Sequence, residues 1–135
     1  MSSVAIVTFY KVVSIPNVHK LKREVERIGF KENLSGTFFA TPQGVNTTLS
    51  GKTEGLKKVI KLLEEDFHIE GMEPIWSKSF KTPFKRLKVR VKDKLLPLEG
   101  SFNVFDLRGK HIDPENWNDF LEDPETVVLD VRNEY

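Results

Sequence analysis

The 135-residue chain is long enough for one ordinary domain or a small domain with part of another, and 39% hydrophobic residues suffice for a packed core. With 30% charged residues and no apolar run near the ~20 residues of a membrane span, the composition argues against wholesale disorder and against a membrane-spanning protein. The absence of cysteine excludes disulfides, thiolate catalysis and Cys-based zinc sites within these residues, and is compatible with a cytoplasmic location.

Charge is distributed unevenly, although the net charge is only +1. Residues 1–99 carry 18 Lys or Arg against 11 Asp or Glu, a balance of +7. Residues 100–135 carry 3 against 9, a balance of −6. This asymmetry indicates two parts with different roles, or one part separated from its context.

The N-terminal segment predicts a strand followed by a helix. Val4–Val13 is mostly apolar and β-branched, which favours a central strand over a signal peptide. Asn17 is a suitable N-cap for an amphipathic helix that extends to Ile28. Gly29 is the expected stop of this helix.

The stretch Gly36–Gly51 predicts a hairpin. Two short apolar runs, Thr37–Thr41 and Val45–Leu49, flank a connection that contains Pro and Gly, as strands joined by a tight turn do. Asn46 follows the turn and has hydroxyl side chains close by. The hairpin is either a scaffold, in which Gly44 permits the turn and Asn46 fastens its backbone, or a binding surface.

A second amphipathic helix is predicted over Glu54–Phe67, with Thr53 as its N-cap. The next segment, Glu73–Phe80, alternates apolar and polar residues as a half-buried strand does. The order strand, helix, strand, strand, helix, strand predicts an α+β, ferredoxin-like fold (split βαβ), with two helices on one face of a four-stranded antiparallel sheet. The other face is expected to stay open to solvent, a partner or another domain.

A basic segment follows, because Lys81–Lys94 holds seven Lys or Arg and a single acid. Within it, Arg86–Lys92 alternates basic and apolar residues, which predicts a further strand with one basic face. Such a strand suits a polyanion, above all RNA, with the aromatics Trp76, Phe80 and Phe84 available for stacking. The alternative is a solvated edge strand that its lysines protect from aggregation. The candidate RNA-binding residues are Lys85, Arg86, Lys88, Arg90 and Lys92.

The last part of the chain begins with an extended linker, Leu95–Asn103. Asp113 followed by Pro114 then predicts the start of a short helix that ends near Leu121. The run Thr126–Val131 predicts a buried strand, for which the sequence offers no partner.

Two familiar kinds of site do not fit the sequence. His19, His68 and His111 lack ligand-type spacing, so no metal site is predicted, and without a glycine-rich nucleotide loop no cofactor is assigned. Gln43–Val45 matches the QGV element of the acylphosphatase phosphate loop. That loop, however, follows the first strand of its fold, whereas this element lies between the second and third predicted strands and no Arg follows it. An acylphosphatase is therefore rejected.

Several stretches along nearly the whole chain match, in order, the pattern of one known family. They are Phe9–Lys11; Gly36, Ala40, Gly44, Val45, Asn46, Thr48 and Gly51 of the hairpin; the basic strand Leu87–Lys92; Gly109–Trp117; and Val127–Tyr135. Together they resemble the bacterial rhodanese-like tRNA uridine hydroxylase family, whose members oxygenate the wobble uridine of certain tRNAs.

The resemblance implies a tRNA partner and, in the full-length enzyme, conversion of the wobble uridine to 5-hydroxyuridine with molecular oxygen. It divides the chain into a ferredoxin-like domain with the basic strand (1–94), a linker (95–112) and the truncated beginning of a rhodanese domain (113–135). The family's catalytic Cys would follow Tyr135, so no catalytic residue is assigned and these residues alone are expected to be inactive. The candidate substrate-facing residues are Tyr10, Lys11, Gln43, Gly44 and Asn46.

Two positions depart from the family pattern. Gln43 replaces an acidic residue, which raises the local positive potential, and Thr47 replaces a Gly. Two other functions stay open: a rhodanese-type sulfurtransferase, and a non-enzymatic ferredoxin-like module that binds a protein or small ligand through its open sheet face. The sequence does not predict an oligomeric state.

Overall fold

The computed structural model describes residues 3–95 and 109–132, which belong to two separate units. Most of the predicted linker, residues 96–108, lies outside the described residues. The first unit contains, in chain order, β1 (Val4–Val12), α1 (Val18–Lys31), β2 (Ser35–Thr41), β3 (Gly44–Gly51), α2 (Thr53–Glu65), β4 (Ile75–Ser79) and β5 (Leu87–Val91).

The five strands form one sheet in the order β4-β1-β3-β2-β5. β1 pairs antiparallel with β3 and β4, and β2 pairs antiparallel with β3, whereas β5 runs parallel to β2 along the other edge. This order of the first four strands confirms the predicted ferredoxin-like α+β fold, and β5 confirms that the basic segment forms a further strand.

Helix α1 begins as predicted and ends later than predicted. The side-chain Oδ1 of Asn17 accepts a hydrogen bond from the backbone N–H of Lys20 at 3.0 Å, which confirms the N-cap. The stop predicted at Gly29 is wrong, because the helix continues for two more residues and Asn33 adopts the left-handed conformation (φ +53°) after it. A Cβ at Gly29 would lie 2.3 Å from Leu87 Cδ2, so this glycine admits close packing of β5.

Helix α2 starts one residue earlier than the sequence pattern predicts. Lys52, with extended backbone, occupies the N-cap position, and its carbonyl accepts the backbone N–H of Leu56 at 3.2 Å. Thr53 is therefore the first helical residue, and its prediction as the cap is wrong. The helix ends at Glu65, before Phe67, which is partly buried against the core.

The hydrophobic core lies between the two helices and one face of the sheet. Phe38, on β2, is fully buried at its centre. The other core side chains from the strands are Ala5, Val7, Phe9, Ala40, Val45, Leu49 and Val89, and those from the helices are Leu21, Val25, Ile28, Leu56, Val59, Leu62 and Leu63. Burial of this apolar surface fixes which face of the sheet the helices cover.

The strand predicted within Glu73–Phe80 forms as β4, but the half burial expected of it is wrong, because most of its residues are exposed. Ile75 is 71% exposed and Trp76 is 41% exposed. Because β4 has a neighbour on one side only, its side chains have fewer groups to pack against than those of a central strand.

The second unit contains a 3₁₀ turn, Pro114–Asn116, followed by α3 (Trp117–Glu122). Asp113 precedes the turn and Pro114 opens it, which confirms the predicted helix start. The strand predicted at Thr126–Val131 is wrong, since the segment is irregular and Val127 is 90% exposed. A strand requires hydrogen bonds to a neighbouring backbone, and no strand in the described parts of the chain pairs with this segment.

Within residues 3–95 and 109–132, no helix is both long enough and apolar enough to cross a bilayer.

Candidate nucleic-acid interface

The sheet face that points away from α1 and α2, here called the open face, includes two neighbouring rows of side chains that contain sequence-predicted residues. Their positions follow from strand register, because successive residues of a strand point to opposite faces. The first row consists of Ile75, Thr8, Thr48, Thr37 and Lys88, and the second consists of Tyr10, Asn46, Phe39 and Arg90. Tyr10 is 67% exposed. The fold thus brings together four of the sequence-predicted residues: Tyr10, Asn46, Lys88 and Arg90.

The open face is electrostatically positive. None of the five described strands contains an Asp or Glu, whereas Lys88 and Arg90 are exposed on β5. Lys92 follows β5, and its Nζ lies 4.0 Å from the ring centroid of Phe39, a cation–π contact. Every second residue of a strand recurs at about 6.6 Å, so the three cations form a regular line. β5 is an edge strand, so these charges also oppose pairing with another chain.

The two remaining basic candidates border a concavity beside this line. The concavity has a volume of about 510 Å³ and lies where the loop before β5 meets the open face. Lys85, Arg86 and Lys88 line it together with Thr37 and Phe84. The loop is fastened to the sheet by a hydrogen bond from the backbone N–H of Gly36 to the carbonyl of Arg86 at 3.0 Å. All five basic candidates therefore lie on β5 or the residues next to it.

The β2–β3 turn is held by short-range contacts around Gln43 and Gly44. The Thr41 hydroxyl accepts the Gln43 backbone N–H at 3.0 Å and donates to the Gly44 carbonyl at 3.2 Å. Gln43 Oε1 accepts the backbone N–H of Leu95 at 3.2 Å. Gly44 has φ +145°, and a Cβ there would lie 2.0 Å from the Lys11 carbonyl oxygen. These two residues shape the end of the hairpin and hold the chain that leaves β5.

Lys11 does not lie with Tyr10. It is the next residue on β1 and pairs with Val45, so its side chain belongs to the helix-covered side of the sheet. Its Nζ donates a hydrogen bond to the carbonyl of Gly71 at 3.2 Å, which ties the segment before β4 to β1.

Asn46 and Thr47 point to opposite sides of β3. Asn46 is exposed, and its side chain makes no hydrogen bond to any residue in the described parts of the chain, so it does not fasten the turn. Thr47 is only 2% exposed, and its hydroxyl donates to the carbonyl of Thr37 at 2.7 Å. The departure from the family pattern at Thr47 therefore concerns the core and not the open face.

Of the aromatic residues considered for stacking, only Phe84 borders the basic side chains. Trp76 pairs with Val7 and so belongs to the helix-covered side of β4. The aromatic residue that does lie on the open face, Phe39, was not singled out from the sequence. The signal was present in Phe38–Phe39, because two adjacent strand residues must face opposite ways and only one of them can enter the core.

Comparison with protein-family models identifies the first unit. The model described as the UPF0176 acylphosphatase-like domain matches residues 4–95, which is more than half of the chain. The chain belongs to the UPF0176 family. The β1–α1 connection, residues 13–17, contains neither Gly nor Arg, and Gln43–Val45 lies at the β2–β3 turn, so neither place matches the phosphate loop discussed above.

Curated relatives of this UPF0176 chain carry the name tRNA uridine(34) hydroxylase. The protein of Wolbachia pipientis wMel is 35% identical over 133 residues, covering 98% of this chain and 48% of the relative. The protein of Anaplasma marginale (strain Florida) is 32% identical over 132 residues, and that of Picosynechococcus is 30% identical over 137 residues. The chain spans about half the length of the curated relatives it matches.

Solved structures of other proteins share the fold. The BLUF protein BlrB in its dark state superposes with a TM-score of 0.57 at 10% identity, covering 67% of this chain and 74% of that chain. The BLUF domain of BlrP1 gives a TM-score of 0.51 at 17% identity, covering 69% and 66%. At these identities the likeness concerns the fold alone.

Proposed function

We propose that this chain is the tRNA-binding N-terminal part of an enzyme that hydroxylates uridine 34, the wobble position of tRNA, to 5-hydroxyuridine with molecular oxygen. Support comes from UPF0176 membership and from curated relatives named for this activity. The motifs of the hydroxylase family, in order along nearly the whole chain, give the same assignment.

The observation that carries the binding role is the open face. It is free of acidic residues in the described strands and combines three strand-spaced cations with exposed Tyr10 and Asn46. Lysine and arginine on phosphates give affinity and orientation, and a polar side chain amid aromatic rings suits unpaired bases. A cationic surface without acidic residues suits RNA because it attracts the phosphate backbone and no carboxylate repels it.

The candidate residues take different parts in this proposal. Lys88, Arg90 and Lys92 hold the phosphates of the bound strand, and Lys85 and Arg86 extend the contact into the adjoining concavity. Tyr10 and Asn46 touch the substrate. Gln43 and Gly44 keep the end of the hairpin in shape beside it, and Lys11 holds the segment before β4 against β1. These last three act through the fold, since their contacts are to the chain itself.

We further propose that these 135 residues bind tRNA without modifying it. The relatives are about twice as long, and the hydroxylase family resemblance assigns the catalytic Cys to a rhodanese domain in the same chain. In this scheme residues 1–94 form the binding domain, 95–112 connect it, and 113–135 begin the rhodanese domain.

The test is the content of 5-hydroxyuridine at position 34 in tRNA from cells that lack the gene, measured by mass spectrometry of isolated tRNAs. The modification should disappear and return when the complete gene is supplied. Supplying only the 135-residue chain, or the complete gene with Lys88→Glu and Arg90→Glu, should not restore it. The matched control, Lys57→Glu with Lys61→Glu on α2, should restore it. Unchanged 5-hydroxyuridine, or loss of a thiolated uridine instead, would contradict the proposal, and the second result would favour a sulfurtransferase.

A further inference from the structure

Two aromatic rings flank the exposed amide of Asn46 on the second row of the open face. Tyr10 pairs with Asn46 on β1–β3, and Asn46 pairs with Phe39 on β3–β2. The rings are therefore two strand spacings apart, roughly 9.6 Å. Two neighbouring, unstacked nucleotides can bridge that distance with one base on each ring. An unpaired amide between the rings offers both a donor and an acceptor to the edge of a base.

The ring of Phe39 is already in contact with an ammonium group on its solvent side. Lys92 is exposed, and its ammonium sits 4.0 Å from the ring centroid. The contact shows that the π face of Phe39 is accessible rather than packed against the core. An exposed cation–π contact is weaker than stacking of a nucleobase on an aromatic side chain, so a base can replace the ammonium. The displaced Lys92 would still lie within reach of the phosphate of the same nucleotide.

We propose that Tyr10 and Phe39 are a stacking platform for unpaired nucleotides of a single RNA strand, with Asn46 hydrogen-bonding a base edge between them and Lys92 covering Phe39 until RNA arrives. The inference rests on the proposed tRNA function and gives it a defined target, an unpaired segment such as an anticodon loop. RNA is preferred to a protein partner because the platform is bordered by Arg90 and Lys92, and no acid in the described strands would repel phosphate.

The experiment compares two probes of equal length and charge, oligouridylate and an abasic ribose-phosphate oligomer, for binding to the 135-residue chain. Cations bind both probes, and only a stacking platform prefers the one with bases. The wild type should bind oligouridylate at least about fivefold more tightly than the abasic probe. Tyr10→Leu and Phe39→Leu should each reduce this gap, the ratio of the affinities for the two probes. The control Phe30→Leu removes a 70% exposed ring from α1 and should leave the ratio unchanged.

A variant of Lys92 distinguishes the contribution of base stacking to RNA affinity from the contribution of charge. Lys92→Met should lower the slope of log affinity against log salt by about 0.7, the value of one single-strand phosphate contact. The affinity ratio between the two probes should not fall, because the variant removes the charge and leaves both rings in place. Tyr10 is 67% exposed, so Tyr10→Leu is expected to leave the fold intact. This variant therefore tests the platform even if Phe39→Leu is less stable in a thermal melt.

The outcomes separate the platform from the proposed function. If both probes bind equally and salt weakens both steeply, the platform is overturned while the tRNA-binding role stands. A probe gap that survives in both leucine variants also overturns it. If neither probe nor tRNA binds, both proposals fail together.

Discussion

Replacing Lys88, Arg90 and Lys92 together by Gln is expected to flatten the salt dependence of tRNA binding. The three cations follow one another on or next to β5 and lie on the open face, where each can neutralise one phosphate. Each single-strand phosphate contact contributes about 0.7 to the slope of log affinity against log salt, so three contacts contribute about 2. Between about 50 and about 200 mM salt, the wild type should lose about sixteenfold more affinity than the variant.

Binding of a labelled anticodon stem-loop, followed by fluorescence anisotropy at several salt concentrations, measures this slope directly. The matched control removes the same charge from the helices by changing Lys20, Lys57 and Lys61 to Gln; all three are exposed on α1 or α2, which cover the other face. An unchanged slope in the open-face variant, or an equal loss in the helix variant, would refute the assignment of phosphate contacts to β5.

Three further predictions concern single positions. Gly44→Ala should destabilise the first unit by about 1–3 kcal/mol in chemical denaturation, because alanine is strained at φ +145° and its Cβ would meet a backbone oxygen; an unchanged midpoint would contradict this. Asn46→Ala should keep the free energy of unfolding within about 0.5 kcal/mol, since its side chain is exposed, yet weaken tRNA binding; a stability loss without a binding loss would make Asn46 a scaffold residue. The Lys58 ammonium donates to the Glu32 carboxylate and lowers its pKa, so Lys58→Met should raise that pKa in an NMR titration. This contact stabilises the fold above the unfolded-state pKa of Glu32 and is lost as pH falls through the lowered folded-state pKa, so the variant and wild-type stabilities should converge in acid.

Strand and helix order could be predicted from the sequence because hydrophobic periodicity and local caps set it. The cap at Asn17 and the alternation in β5 depend on residues close in sequence, and both predictions hold. The role of Gly29 could not be predicted from its local sequence. A glycine is needed there because Leu87, which is distant in the chain, packs where a Cβ would lie. The exposed run Thr126–Val131 has the composition of a buried strand, but a strand forms only where a neighbour supplies backbone partners.

The candidate site could be predicted in part. The basic line on β5 follows from alternation alone, whereas the meeting of Tyr10 and Asn46 requires the register of β1 against β3. Alternation also separates Lys11 from Tyr10, a consequence of two-residue strand periodicity that motif matching does not take into account. Phe39 was missed because its importance comes from neighbours on β3 and β5.

The most direct test of the open face as the tRNA-binding surface is a chemical-shift titration of the isotope-labelled 135-residue chain with an anticodon stem-loop. The largest perturbations should fall on the side-chain amide of Asn46, the Nε–H of Arg90 and the ring of Tyr10, with only small changes along α1 and α2. Perturbations concentrated on the helices, with these three groups unmoved, would contradict the account.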